Sequence, residues 1–76
     1  MASFYIKLKS INDVKEFVRI ANLFEEDIDL VSGRYTVDAK SIMGIFSLDL
    51  SKPIRVEVRG GDTRALLEDM RPYIDT

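Results

Sequence analysis

Two serines stand where a hydroxyl can act at the start of a helix. Ser41 follows Lys40 and opens the apolar run Ile42-Met43-Gly44-Ile45-Phe46. Its side-chain oxygen can accept a first-turn backbone N–H, a cap contributing about 1 kcal/mol. It can also carry a phosphate, which adds about −2 charge where the helix dipole and unpaired N–H groups point outward. Lys40 beside it offers a counter-charge. Ser10 begins Ser10-Ile-Asn-Asp13, the S-x-x-D spacing of a capping box, and is read as the cap of a first helix, with Asn12 as its rival. Glu25, Glu26, Asp27 and Asp29 cluster without the spacing of a calcium loop and read as a solvated turn.

The missing residue types exclude more chemistry than the present ones supply. The 76 residues contain no histidine and no cysteine. Imidazole acid–base catalysis, phosphohistidine, thiol nucleophiles, disulfides and the commonest zinc sites are therefore absent. No Ser-His-Asp set, Walker loop or dinucleotide glycine loop occurs, so the chain is expected to be no enzyme and to need neither metal nor cofactor. Eleven Lys+Arg against 13 Asp+Glu give a net charge of −2, too little positive charge for a general nucleic-acid binder. No apolar run approaches the ~20 residues that cross a bilayer, and no secretory h-region begins the chain. Cytoplasmic placement, away from membranes, is the expectation.

The elements that must position the serines follow from hydropathy periods. Ser3 to Lys9 alternates, with Phe4, Ile6 and Leu8 on one face, as a half-buried strand does. Val14, Phe17, Val18, Ala21 and Phe24 then recur at helical steps. Ile28 and Leu30 alternate with acidic neighbours, Ser32-Gly33 turns the chain, and Tyr35 and Val37 continue the alternation, predicting an antiparallel hairpin. Ser41 to Leu48 predicts about two helical turns. Ile54, Val56 and Val58 alternate with Arg55, Glu57 and Arg59, a strand turned by Gly60-Gly61. Asp62 is expected to cap a last helix carrying Leu66, Leu67 and Met70, which Pro72 stops or kinks.

The order is β-α-β-β-α-β-α in one domain, residues 1–76. Each strand has one apolar and one polar face, which fits a four-stranded antiparallel sheet with three helices on one face and solvent on the other. This is an α+β, open-faced two-layer sandwich. A ferredoxin-like arrangement shares the β-α-β-β opening, but the short second helix favours the sandwich.

Lys40-Ser41-Ile42-Met43-Gly44, in this element order, resembles the HPr phosphocarrier family of the bacterial sugar phosphotransferase system, over nearly the whole chain. The resemblance implies the HPr fold and a regulatory serine at Ser41. It also implies a phosphate-carrying histidine at the start of the first helix. An ungapped count back from Lys40 places Ser10 at that histidine position, Asn12 at the family's arginine and Asp13 at its proline. A serine phosphate ester lacks the transfer potential of phosphohistidine, and Asp13 repels an incoming phosphate. The chain is thus similar to the Crh type, which lacks the histidine and keeps the serine.

For that type the resemblance implies protein partners: HPr kinase/phosphorylase, which modifies the serine from ATP, and a transcription regulator that binds the phosphoserine form. Lys40, Ile42, Met43 and Phe46 are the implied partner-binding residues, with Ile45 and Leu48 expected to face the core. The shortened loop after Lys9 leaves room for a strand-swapped homodimer. The expected function is a non-catalytic regulatory or protein-interaction module. The alternative is an interaction domain that kept the fold and lost both phosphorylation roles.

Overall fold

The computed structural model describes residues 2–61 and 63–75. β1 (Ala2–Ile6) leads into α1 (Ile11–Ala21), and the hairpin β2 (Asp27–Ser32) and β3 (Tyr35–Asp38) follows. α2 (Ile42–Phe46), β4 (Ile54–Arg59) and α3 (Arg64–Met70) complete the order, and Arg71–Tyr73 adds a 3₁₀ turn. The four strands lie in the order β1-β4-β2-β3 and every pairing is antiparallel. The helices cover one face of this sheet, giving the open-faced α+β sandwich that the periodicities predict.

Register fixes which side chains enter the core. Ile6 pairs with Ile54, Phe4 with Val56, and Val56 in turn with Leu30, so the inward residues of three strands meet in rows. Ile6, Ile28, Leu30, Ile54, Val56 and Val58 are buried beneath Val14, Phe17 and Ala21 of α1 and Leu66 and Met70 of α3. The opposite face is wet and charged: Arg59 pairs with Asp29 at 2.7 Å and Arg55 with Glu57 at 3.0 Å.

Two boundaries depart from the sequence reading, the ends of β1 and α2. β1 ends at Ile6, short of Lys9, because its partner strand begins at Ile54 after Pro53, which has no N–H to continue the ladder. Lys7 instead donates its backbone N–H to Tyr73 O at 2.8 Å. α2 closes one turn early, with Ser47 N–H on Gly44 O and Leu48 N–H on Ile45 O. Asp62, the expected cap of α3, lies outside the described residues. Thr63 holds the N-cap position of α3 without a side-chain cap bond. Pro72 does end the regular helix, since α3 stops at Met70 and the chain tightens into the 3₁₀ turn.

Residues 73–75 then run along the outer edge of β1. Asp75 donates to Tyr5 O at 2.9 Å, and Ile74 stands opposite Ile6 in an antiparallel bridge. Tyr73 rests edge-on against Phe17, with ring centroids 6.2 Å apart and planes at 84°.

Candidate functional site

The site is built around α2, a five-residue helix entered from β3 by a tight turn. Asp38 organises that turn: its carboxylate accepts the Lys40 N–H at 2.9 Å and its carbonyl the Ser41 N–H at 3.0 Å. Ser41 thereby arrives with extended backbone, and its Oγ accepts the Gly44 N–H at 3.2 Å. Ser41 is half-buried. Gly44 is the reason that α2 can lie so close to the hairpin. A Cβ at this position would stand 3.2 Å from Val37 Cβ and 3.4 Å from Ser41 Oγ.

Lys40 is engaged elsewhere than the sequence suggests. Its ammonium donates to Phe24 O at 2.7 Å, beyond the end of α1. Asn22 tightens the same junction, donating its amide to Val18 O at 2.8 Å and to Lys40 O at 3.3 Å. The cation therefore anchors the α1–β2 loop to the entry of α2, and the counter-charge reading for Ser41 requires it to leave that carbonyl.

The apolar candidates divide by face. Met43 is 79% exposed and Phe46 43% exposed, whereas Ile45 and Leu48 are buried. Ile42 is half-buried against the core. Two further apolar side chains, Ile11 at the start of α1 and Leu23 just past its end, are each 64% exposed. Leu23 falls off the 3.6-residue face that carries Val14 and Phe17, whereas Ile11, three residues before Val14, continues that stripe and stays exposed in the first turn of α1.

Ser10 caps α1. Its Oγ accepts the Asp13 N–H at 3.1 Å, while the Asp13 carboxylate reaches back to the Lys9 N–H at 2.9 Å. This is a capping box displaced by one residue, and Asn12 has no part in it. The Asp13 carboxylate thus takes the Lys9 N–H just ahead of the helix and sets a negative charge in the first turn, where an incoming phosphate would be repelled.

Beyond α2, Asp49 accepts both the backbone N–H and the hydroxyl of Ser51, at 3.0 and 2.5 Å. The Ser51 hydroxyl, its N–H and, more weakly, Lys52 and Lys7 hold the Asp49 carboxyl below the usual range. Asp29 of the acidic cluster is tied to Arg59. Among the described residues no three carboxylates converge on a point that could hold a metal ion. No helix among them is long and apolar enough to cross a membrane.

A family model described as the PTS HPr component phosphorylation site matches residues 11–76. Similar solved structures include an HPr-C-His protein from Thermoanaerobacter tengcongensis, 26% identical over 95% of this chain and 89% of that one, with a TM-score of 0.80. The phosphocarrier HPr of Bacillus anthracis is 29% identical over 97% and 96%, with a TM-score of 0.74. Crh of Bacillus subtilis, a catabolite-repression protein described as a swapped-domain dimer, is 30% identical over 90% and 80%, with a TM-score of 0.69. No curated protein matches the sequence.

Proposed function

The chain belongs to the HPr family of the phosphotransferase system, and from that premise we propose that it is a non-catalytic regulatory module, switched by phosphorylation of Ser41 and unable to carry phosphohistidine. The observation that carries this reading is Ser41 itself. A family-type serine caps an exposed helix, in a chain that has no histidine. Transfer would form a bond from Ser41 Oγ to the γ-phosphorus of ATP and break that phosphorus's bond to ADP, with the hydroxyl proton taken by the kinase. The phosphate would stand beside the Gly44 N–H, adjoining exposed Met43 and Phe46, so that charge and an adaptable apolar surface form one recognition face.

Ser10 is the proposed histidine-equivalent position and is inactive as a carrier. Its oxygen is engaged as a cap, and the Asp13 charge repels an incoming anion. The module works in the cytoplasm as a single domain, without cofactor, and meets proteins rather than nucleic acid or membrane. HPr kinase/phosphorylase and a transcription regulator are the proposed partners, and a strand-swapped homodimer of the Crh kind is the proposed self-association. Lys40, Ile42, Met43 and Phe46 are the proposed contact residues.

One observation favours a second reading, an interaction domain without either phosphorylation role. The Lys40 ammonium is already held by Phe24 O. The two readings separate by intact mass after incubation with ATP and HPr kinase/phosphorylase. One added phosphate, absent from Ser41→Ala, is the expected result. An unchanged mass, with a control HPr modified in the same tube, rejects the switch and leaves the second reading.

A further inference from the structure

We propose that the outer edge of β1 is a pairing surface for a second copy of this chain, and that residues 73–75 are the guard that keeps it closed. Strand alternation turns the backbone N–H and C=O groups of Ser3, Tyr5 and Lys7 outward, away from β4. An edge of this kind is a template for another strand unless something covers it. The chain covers it itself. Lys7 N–H donates to Tyr73 O, Asp75 N–H donates to Tyr5 O, and Ile74 lies opposite Ile6 between those two bonds. The guard is small. It is held by two edge bonds, by half-buried Ile74 and by the Tyr73–Phe17 ring contact.

The occupant is a second copy because β1 complements itself. Centred on Tyr5, an antiparallel β1–β1 pair sets Tyr5 opposite Tyr5, Phe4 opposite Ile6, and Ser3 opposite Lys7. No like charges face each other, and apolar residues meet on the helix-covered side, where Ile74 now meets Ile6. Phe4–Ile6 takes the same position between hydrogen bonds that Ile6–Ile74 holds in the guard. Two four-stranded sheets would thereby become one continuous sheet. The edge is blocked while the guard is shut and available when it lifts, so the guard sets the concentration at which copies associate. This holds whether or not Ser41 is phosphorylated.

The test uses Tyr73→Ala/Asp75→Pro, which removes the ring contact and the donor to Tyr5 O. Because the chain has no cysteine, Tyr5→Cys added to this background reports the proposed two-fold axis, where Cα atoms stand about 5.5 Å apart. Light scattering across a concentration series should find the guard variant dimerising with a dissociation constant at least about tenfold below that of the unaltered chain, roughly what one such bond carries. A short bifunctional thiol reagent should then join the two introduced thiols across the axis. A variant as monomeric as the unaltered chain overturns the proposal. So does a dimer that does not cross-link at position 5, which would mean strand exchange or another face. Amide exchange on the unaltered chain covers the case in which the variant fails to fold. The Lys7 and Asp75 amides should share one protection factor, lower than that of Val56, and unequal protection of the two overturns the guard.

Discussion

Two side-chain oxygens, Ser10 Oγ and Ser41 Oγ, do the same local work at the first turns of α1 and α2. Ser41→Ala should lower the unfolding free energy by about 1 kcal/mol in urea, and Ser10→Ala by a similar amount. Asp49 is a charge with a sign to check. Its folded carboxyl titrates below its unfolded counterpart because Ser51 donates to the ionised form. That contribution is present above the unfolded value and is lost as the pH falls through the folded one. Asp49→Asn should therefore flatten the acid limb of the stability–pH curve by lowering the neutral plateau toward the acid value. An acid limb as steep as that of the unaltered chain would show that the Ser51 contacts do not form. Both serine caps are legible in the sequence because cap chemistry is confined to four residues. The Lys40–Phe24 and Asn22–Lys40 bonds are not, since each joins residues 16 or 18 positions apart whose meeting depends on the packing of α1 against α2.

Among the elements, α2 and β1 show where a pattern stops being enough. The alternation through Lys9 is real, and Leu8 is indeed buried, but a strand lasts only as long as its partner, and Pro53 ends the partner. The apolar run through Leu48 is likewise real, yet the helix is five residues long because the last turn closes early. The packing of α2 rests on Gly44. Gly44→Ala gains helix propensity of up to about 1 kcal/mol but crowds Val37, which β3, as a short edge strand, can yield to. Its net change should stay within about 1 kcal/mol. Gly44→Leu has no such room and should cost about 1–3 kcal/mol by the same urea titration. The antiparallel contact of residues 73–75 with β1 left no readable signal. Tyr73-Ile74 after Pro72 is too short to show a period, and its partner is nearly the whole chain away.

For the whole molecule, one layer of side chains joins sheet and helices, and Phe17 lies at its centre with no exposed surface. Phe17→Ala should cost about 3–5 kcal/mol. Against the roughly 5–15 kcal/mol typical of a domain, that is a large share, and it should lower the urea midpoint followed by circular dichroism. Layering and the two faces of each strand were legible, because burial on one side imposes the period. The spatial order β1-β4-β2-β3 was not in the periodicity, which marks the two faces of a strand and not its neighbours. The exposure of Met43 and Phe46 was legible only as a choice between faces, since a helix this short has too few turns to mark its wet side.

Whether this HPr-family chain can still take phosphate as a carrier is tested most directly by incubation with phosphoenolpyruvate and enzyme I, a histidine-containing HPr being present in the same tube. Intact mass should show phosphate on the control and none on this chain, as the absence of histidine and the engagement of Ser10 and Asp13 require. A phosphate on this chain, located at Ser10 by fragmentation, would contradict that result and restore a carrier role.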